Sequence, residues 1–215
     1  MKVMPRKNRD QISPPGGWLT ISTPRLPPIE RARAGLVSRL ILSIVEKYAK
    51  LDVANLWLLM KNNPRLLHGM LFFVSKFMPF GDLKRTNTEL VILRVAWNCR
   101  ARYIWGQHVQ IGMRAGLSSE DIVRISQGPE AEGWRRDQKA LLNACDEFHH
   151  NRFISDSTWI NLSRYFDNKL LLELLCLIGF YDGFGGVVNS AGLPLDETMS
   201  AKLASLESND TFRRN

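Results

Sequence analysis

The sequence lacks the short motifs by which many enzyme mechanisms are recognised. It has no Gly-rich phosphate loop, no Cys-x-x-Cys pair, no His-Glu-x-x-His and no nucleophile elbow. The glycine-rich residues 183–186 follow a predicted helix rather than a strand, which argues against a dinucleotide site. We therefore predict no cofactor and no metal site. The function has to be inferred from less specific groupings of residues.

Cysteines and long apolar runs are also scarce. An odd count of three widely separated cysteines argues against a disulfide framework and is typical of a reducing cytoplasm. Charged residues interrupt or bound the apolar segments 66–74 and 170–181, and neither reaches the ~20 residues that cross a bilayer. The basic start is not followed by the apolar run of a signal peptide. We therefore expect a cytoplasmic protein without membrane insertion.

The positive charge is concentrated near the N-terminus. The net charge is +8, and residues 1–33 carry seven basic and two acidic side chains, so they account for five of the eight charges. This distribution favours a solvated basic arm over a folded basic surface. Weak contact of the arm with acidic lipid or nucleic acid is the alternative, and we predict no nucleic-acid partner.

The chain divides into an arm, one domain and a tail. Six prolines and the pair Gly16-Gly17 predict an extended or disordered arm over residues 1–30. Apolar residues at three- and four-residue spacing predict helices through a single domain at 31–195, and residues 196–215 have the composition of a polar tail. Strand patterns are poor, so the predicted class is all-α with about seven to nine helices.

The stretch from Glu89 to His108 is the best candidate for a functional centre. It reads ELVILRVAWNCRARYIWGQH and places a carboxylate, a thiol, a phenol, two indoles and an imidazole in an apolar helical context. Structural explanations are also available, because Thr86-x-x-Glu89 is a capping box and a histidine on an apolar face is usually a core residue. On one unbroken helix Cys99 and His108 would point in opposite directions, so they can meet only if the helix breaks between them.

Two other groups of ionisable residues are weaker candidates. His149 and His150 diverge by ~100° on a helix and cannot easily share a metal, so an exposed helix end is the favoured interpretation. Glu173 is the only charge in the run 170–181. It could be a buried acid or base, but a position at the helix edge with a basic partner is favoured.

Several segments share the spacing of a known family. They are Glu-Leu-Val-Ile-Leu-Arg-Val-Ala-Trp at 89–97, Tyr-x-Trp-x-x-His at 103–108, Gly-Leu-Ser at 116–118 and Glu-Asp-Ile at 120–122, with further likeness between residues 50 and 195. In this pattern the chain resembles the carboxymuconolactone decarboxylase family of the alkyl hydroperoxidase D (AhpD) superfamily. The resemblance implies an all-α fold that assembles as a trimer or hexamer.

The resemblance implies two chemistries. In the hydroperoxidase branch a glutamate and a histidine, here Glu89 and His108, relay protons to a Cys-x-x-Cys pair, but that pair falls on Ala101 and Ile104. In the decarboxylase branch a histidine and a carboxylate act as acid and base without thiols. The relatives' acidic residue between Tyr103 and Trp105 is replaced by Ile104.

Three functions follow from these observations. The first is lyase-type acid–base chemistry by Glu89 and His108 on a small carboxylated molecule. The residues predicted to shape its pocket are Tyr103, Trp97 and Trp105. Arg94 is a candidate to bind the substrate carboxylate, although a surface or structural ion pair is the favoured interpretation of this residue. The second is peroxide-reducing thiol chemistry through Cys99, which requires a lowered thiol pKa. The third is a non-catalytic oligomeric binding protein without a solvent-reachable pocket at His108.

Overall fold

The protein folds as an assembly of helices. The computed structural model describes residues 12–44, residue 47 and residues 53–207, and no β-strand occurs among them. After a 3-10 turn at Arg31–Ala34 come ten helices: α1 (Leu36–Ile44), α2 (Ala54–Met60), α3 (Pro64–Val74), α4 (Arg85–Asn98), α5 (Arg102–Ala115), α6 (Ser119–Gln127), α7 (Arg136–Asn151), α8 (Asp156–Leu162), α9 (Asn168–Ala191) and α10 (Glu197–Glu207). The all-α class is confirmed, with one helix more than the predicted upper bound.

Local sequence signals set several helix ends. Asn63 caps α3 by accepting a hydrogen bond from the Leu66 amide, with Pro64 in the first turn. Ser118 and Asp121 form a reciprocal capping box at α6. Gly116 ends α5 in a left-handed conformation, which costs a glycine little because it has no Cβ. These boundaries follow the sequence closely.

Helix α4 lies at the centre of the core. Its residues from Asn87 to Trp97 are all buried. It packs against α5, α7 and α9, and also touches α6. A helix that is enclosed on all sides needs no polar face, which explains why its sequence is apolar through so many successive positions. This central position fixes where Glu89 can lie.

Helix α9 continues ten residues beyond the predicted end at Tyr181, through Gly183, Gly185 and Gly186 to Ala191. Its packing against α4 compensates for the low helix propensity of glycine. By length and composition alone α9 could span a membrane, a property that buried core helices share. In this structure its inner residues, among them Leu174, Leu177 and Ile178, belong to the hydrophobic core.

Both flanking regions contact the domain. In the described part of the predicted arm, Trp18 lies against Trp97 and Trp105 with ring centroids 5.6 and 5.8 Å away. The predicted polar tail contains α10, whose Met199 and Leu203 are buried. These two side chains pack so closely on α5 that a Cβ added at Gly106 would lie 2.7 Å from the Met199 sulfur. The arm and the tail have too few apolar side chains for a recognisable helical pattern in the sequence. Their packing on the domain gives them their ordered structure.

Candidate functional site

Glu89 and His108 form a buried pair between α4 and α5. The break after α4, where Arg100 adopts a positive φ of 55°, turns the chain so that α5 runs back along α4. His108 Nδ1 lies 2.7 Å from Glu89 Oε2, and Arg85 lies 2.7 Å from Glu89 Oε1. The predicted capping box is wrong, because α4 begins at Arg85 without a side-chain cap and Glu89 reaches His108 instead.

The contacts of His108 define which ring nitrogen can react. An ionised Glu89 accepts the Nδ1–H, which leaves Nε2 as the basic nitrogen of the neutral ring. The Tyr181 ring meets the imidazole edge-on at 5.2 Å between centroids. Burial and the adjacent Glu89 carboxylate raise the pKa of Tyr181, and Arg85 opposes this only in part. Tyr181 is therefore a neutral neighbour that orients the imidazole.

His108 lines a largely apolar cavity of about 250 Å³. Helices α2, α3, α5 and α9 and residue 53 enclose it: Val53, Leu56, Trp57, Leu67, Met70, Leu71, Val74, Tyr103, Ile104, Gln107, His108, Phe180, Tyr181 and Phe184. Glu89 has no exposed surface and lies behind the histidine. A small molecule in the cavity can therefore touch the imidazole but not the carboxylate.

Tyr103 is the predicted pocket residue that lines this cavity. Its hydroxyl donates a hydrogen bond to Asp196 Oδ2 at 2.7 Å and accepts one from the Leu56 amide at 3.2 Å. Burial and Asp196 raise the pKa of Tyr103 well above its usual value. The phenol is held by the protein, so its role at the cavity is to shape the wall.

The other three predicted pocket residues lie elsewhere. Trp97 and Trp105 pack on each other and on Trp18, and neither indole lines the cavity at His108. Arg94 makes a bidentate contact with Asp146, at 2.6 and 2.8 Å. Its guanidinium is already neutralised and hydrogen-bonded, so its position gives no support to binding a substrate carboxylate.

Cys99 belongs to a separate cluster. It follows α4 and is half-buried, with its Sγ 3.2 Å from Asp182 Oδ1 and 3.8 Å from His149 Nδ1. Burial raises the pKa of the Cys99 thiol to about 11, against the lowering effect of Arg152. The thiol-redox hypothesis requires the opposite shift. Sequence reasoning missed Asp182 and treated His149 as an exposed helix end, because neither is near Cys99 in the chain.

We expect Cys99 in metal-free protein to react slowly with iodoacetamide. At pH 8 its rate should be more than tenfold below that of a solvent-exposed thiol, and it should rise about tenfold per pH unit towards pH 11, since only the thiolate attacks. Peptide mass spectrometry measures each site, with exposed Cys176 as the internal control. Equal rates for the two cysteines at pH 8 would contradict the raised pKa.

Comparison with solved structures identifies the fold. The debrominase Bmp8 aligns with a TM-score of 0.70 at 12% identity, covering 86% of this chain and 100% of that chain. A cysteine-to-alanine variant of Bmp8 in complex with 2,3,4-tribromopyrrole aligns over 87% and 99% of the chains, with a TM-score of 0.69 and 13% identity. A peroxidase-related AhpD-core protein from Ralstonia eutropha JMP134 aligns at 0.71, with 16% identity over 82% and 94%. The chain has the AhpD-like fold. No protein-family model and no curated protein sequence matches it.

The AhpD-like fold confirms the all-α fold that the sequence resemblance implies, and membership of the superfamily and of its decarboxylase branch stays a prediction. The two positions assigned by resemblance to the thiol pair lie close to His108 along the chain. Ala101 is fully buried and Ile104 lines the cavity. The cavity wall therefore presents an alkyl group where the resemblance places a thiol.

Proposed function

We propose that this AhpD-like protein carries out acid–base chemistry on a small, largely apolar molecule, with Nε2 of His108 as the proton-transferring atom. The observation that carries the proposal is a histidine in the wall of an apolar cavity, backed by a buried glutamate 2.7 Å from its other nitrogen. Such a carboxylate fixes the tautomer and stabilises the imidazolium formed when the base accepts a proton. Glu89 is then a positioning residue, and His108 is the catalytic one.

The cavity changes the predicted substrate. Tyr103, Gln107 and His108 are the polar or ionisable side chains that accompany Tyr181 in an otherwise apolar wall, and no arginine or lysine from the described part of the chain lines it. A carboxylated substrate would lack a cationic partner there, whereas an apolar ring would be well accommodated. The complex of Bmp8, a fold neighbour, with 2,3,4-tribromopyrrole is compatible with a small ring ligand.

The proposal can be tested with 5-nitrobenzisoxazole, a small planar probe that opens when a base removes its ring C–H proton. His108 Nε2 would take the proton, the N–O bond would break, and the electron pair would end on the phenolate oxygen, which is followed by absorbance. We expect His108→Ala to lower the protein-catalysed rate at least tenfold. His68→Ala, at an exposed position on α3, should leave the rate unchanged.

Two results would overturn this proposal. One is equal activity in the wild type and the His108→Ala variant. The other is saturable binding of the probe without acceleration over buffer, which would indicate a binding protein with an inactive histidine. Far-ultraviolet circular dichroism of each variant shows whether a lost rate reflects lost chemistry or lost structure.

The predicted trimer or hexamer and the cytoplasmic location stay predictions. Large apolar side chains are exposed on α1 and α3, including Leu36, Leu40 and Phe72. Apolar groups of this size at a surface are typical of contacts between subunits.

A further inference from the structure

Three side chains with metal-binding chemistry converge next to the end of α4. Cys99 follows α4, His149 lies in the last turn of α7, and Asp182 lies in the middle of α9. One donor atom from each lies within 4.8 Å of the other two. The pairs are separated by 50, 33 and 83 residues in sequence, so only the tertiary fold brings them together.

The geometry of this Cys99–His149–Asp182 cluster differs from that of a proton relay. In a nucleophile–histidine–carboxylate relay the imidazole bridges its partners through its two opposite nitrogens. Here the thiol and the carboxylate approach the same nitrogen, because Nδ1 of His149 lies 3.8 Å from Cys99 Sγ and 2.5 Å from Asp182 Oδ1. The three donor atoms surround one point, which is the arrangement that a shared cation requires.

We propose that this cluster binds a divalent metal ion of borderline softness, with Zn²⁺ the best match. Thiolate, imidazole and carboxylate are all established zinc ligands, and three protein ligands with one open position make a tetrahedral site. Ligand atoms around tetrahedral zinc lie roughly 3.2–3.7 Å apart. Two of the observed separations, 3.2 and 3.8 Å, are close to that range, and the third must open from 2.5 Å. On binding, the Cys99 thiol proton leaves to solvent and a water molecule fills the fourth position.

The surroundings suit a site that exchanges metal with solvent. The Asp182 side chain is only 4% exposed and is fixed within α9, whereas His149 is 26% exposed and opens the cluster to water. Gly185 lies one turn beyond Asp182, and a Cβ there would lie 2.9 Å from the Cys99 Cβ. Any larger residue would displace Cys99, so the absence of a side chain allows the cysteine to sit against α9.

Arg152 is a cation that would compete with the metal ion for the Asp182 carboxylate. Its guanidinium pairs with the second carboxylate oxygen of Asp182, and its side chain is 66% exposed. In the metal-free protein it compensates the buried carboxylate charge. With Zn²⁺ bound to a thiolate and a carboxylate, the cluster would be neutral and Arg152 could swing into solvent. The metal and Arg152 therefore compete for Asp182.

This metal site is independent of the proposed acid–base function. None of its three ligands lines the cavity at His108. Asp182 and Tyr181 are neighbours on α9, but Tyr181 packs on His108 while Asp182 faces Cys99. The metal site can therefore exist whether or not His108 is catalytic.

Binding can be tested with Co²⁺, which replaces Zn²⁺ and reports its ligands in absorbance. Chelator-treated full-length protein should give a sulfur-to-cobalt charge-transfer band and the intense visible bands of a tetrahedral ion, at one ion per chain. Cys99→Ser should abolish the charge-transfer band, and His149→Ala and Asp182→Asn should weaken binding at least tenfold. Cys176→Ser and His68→Ala, both at exposed positions outside the cluster, are controls that should bind as the wild type does.

Two further measurements do not depend on whether the ligand variants fold. Zn²⁺ should protect Cys99, but not Cys176, from alkylation in the wild-type protein. Arg152→Ala should bind Zn²⁺ several-fold more tightly in calorimetry, since it removes the competing cation. The proposal is overturned if wild-type protein gives no thiolate–cobalt band, if the band survives in Cys99→Ser, or if Zn²⁺ leaves the alkylation of Cys99 unchanged.

Discussion

Replacing Asp146 with alanine is expected to lower the free energy of unfolding by about 3–4 kcal/mol, because it leaves a buried guanidinium without its counter-charge. Arg94 lies in the central helix with 11% of its side chain exposed and has two contacts to Asp146, at 2.6 and 2.8 Å. Asp146 also accepts a hydrogen bond from Asn98 at 2.8 Å. The remaining hydrogen bonds from Arg94, to the carbonyls of Ile125 and Ser126, cannot neutralise the charge.

Helix α7, which carries Asp146, also takes part in an exposed ion pair that serves as a control. Glu130 pairs with Lys139 of α7 at 2.8 Å, but their side chains are 79% and 44% exposed. Because water screens such a pair, Glu130→Ala should cost less than about 1 kcal/mol. Urea unfolding followed by circular dichroism gives both values. Similar losses for the two variants would show that the Arg94–Asp146 pair does not stabilise the core.

Local sequence information was sufficient for the fold and for one pair of the site. The apolar run of α4 predicts a central helix, and the polar residues Asn98 and Arg100 that follow Trp97 agree with a break between α4 and α5. Glu89 and His108 are both on helices that are adjacent in sequence and joined by a short link, so antiparallel packing brings them together. Contacts between such neighbours are the easiest to infer from sequence.

Sequence reasoning failed where distant segments meet. The partner of Cys99 is 83 residues away and that of Arg94 is 52 residues away, so neither could be selected from spacing. Glu173 was expected to pair with a basic side chain, but its carboxylate accepts hydrogen bonds from the backbone amides of Asp82 and Leu83, at 2.9 and 3.2 Å. Every residue except proline has a backbone N–H, so the sequence does not indicate which amides will donate hydrogen bonds to Glu173.

At Glu89 a local preference for helix capping competes with tertiary contacts of the same carboxylate. A Thr-x-x-Glu pattern stabilises a helix end by a modest amount when the glutamate is exposed. At this position the Glu89 carboxylate forms a hydrogen bond with His108 and an ion pair with Arg85, and a buried charge-assisted hydrogen bond is the stronger interaction. Tertiary contacts therefore determine the role of Glu89. The helix begins at Arg85, two residues before the first helical residue that a cap at Thr86 predicts.

Glu89→Ala is expected to lower the free energy of unfolding by about 2–3 kcal/mol and also to reduce proton transfer by His108. The variant leaves the buried Nδ1–H of His108 without an acceptor and removes a fully buried side chain. Arg85 is 40% exposed and can turn to water, so its charge adds little to the cost. Denaturant unfolding and the benzisoxazole rate measure the two effects on the same sample.

Glu89→Gln separates chemistry from stability. The amide oxygen would face Arg85, since a guanidinium accepts no hydrogen bond, and the amide N–H would then point at His108 Nδ1. If Nδ1 accepts this hydrogen bond, the ring proton is on Nε2. Nε2 then has no free lone pair and cannot act as a base. We expect this variant to remain folded with a smaller loss of stability than Glu89→Ala, yet to lose catalysis as fully as His108→Ala. Nitrogen-15 NMR of the imidazole reports the tautomer directly, and a variant that keeps both the Nδ1–H form and the wild-type rate would show that Glu89 does not position the base.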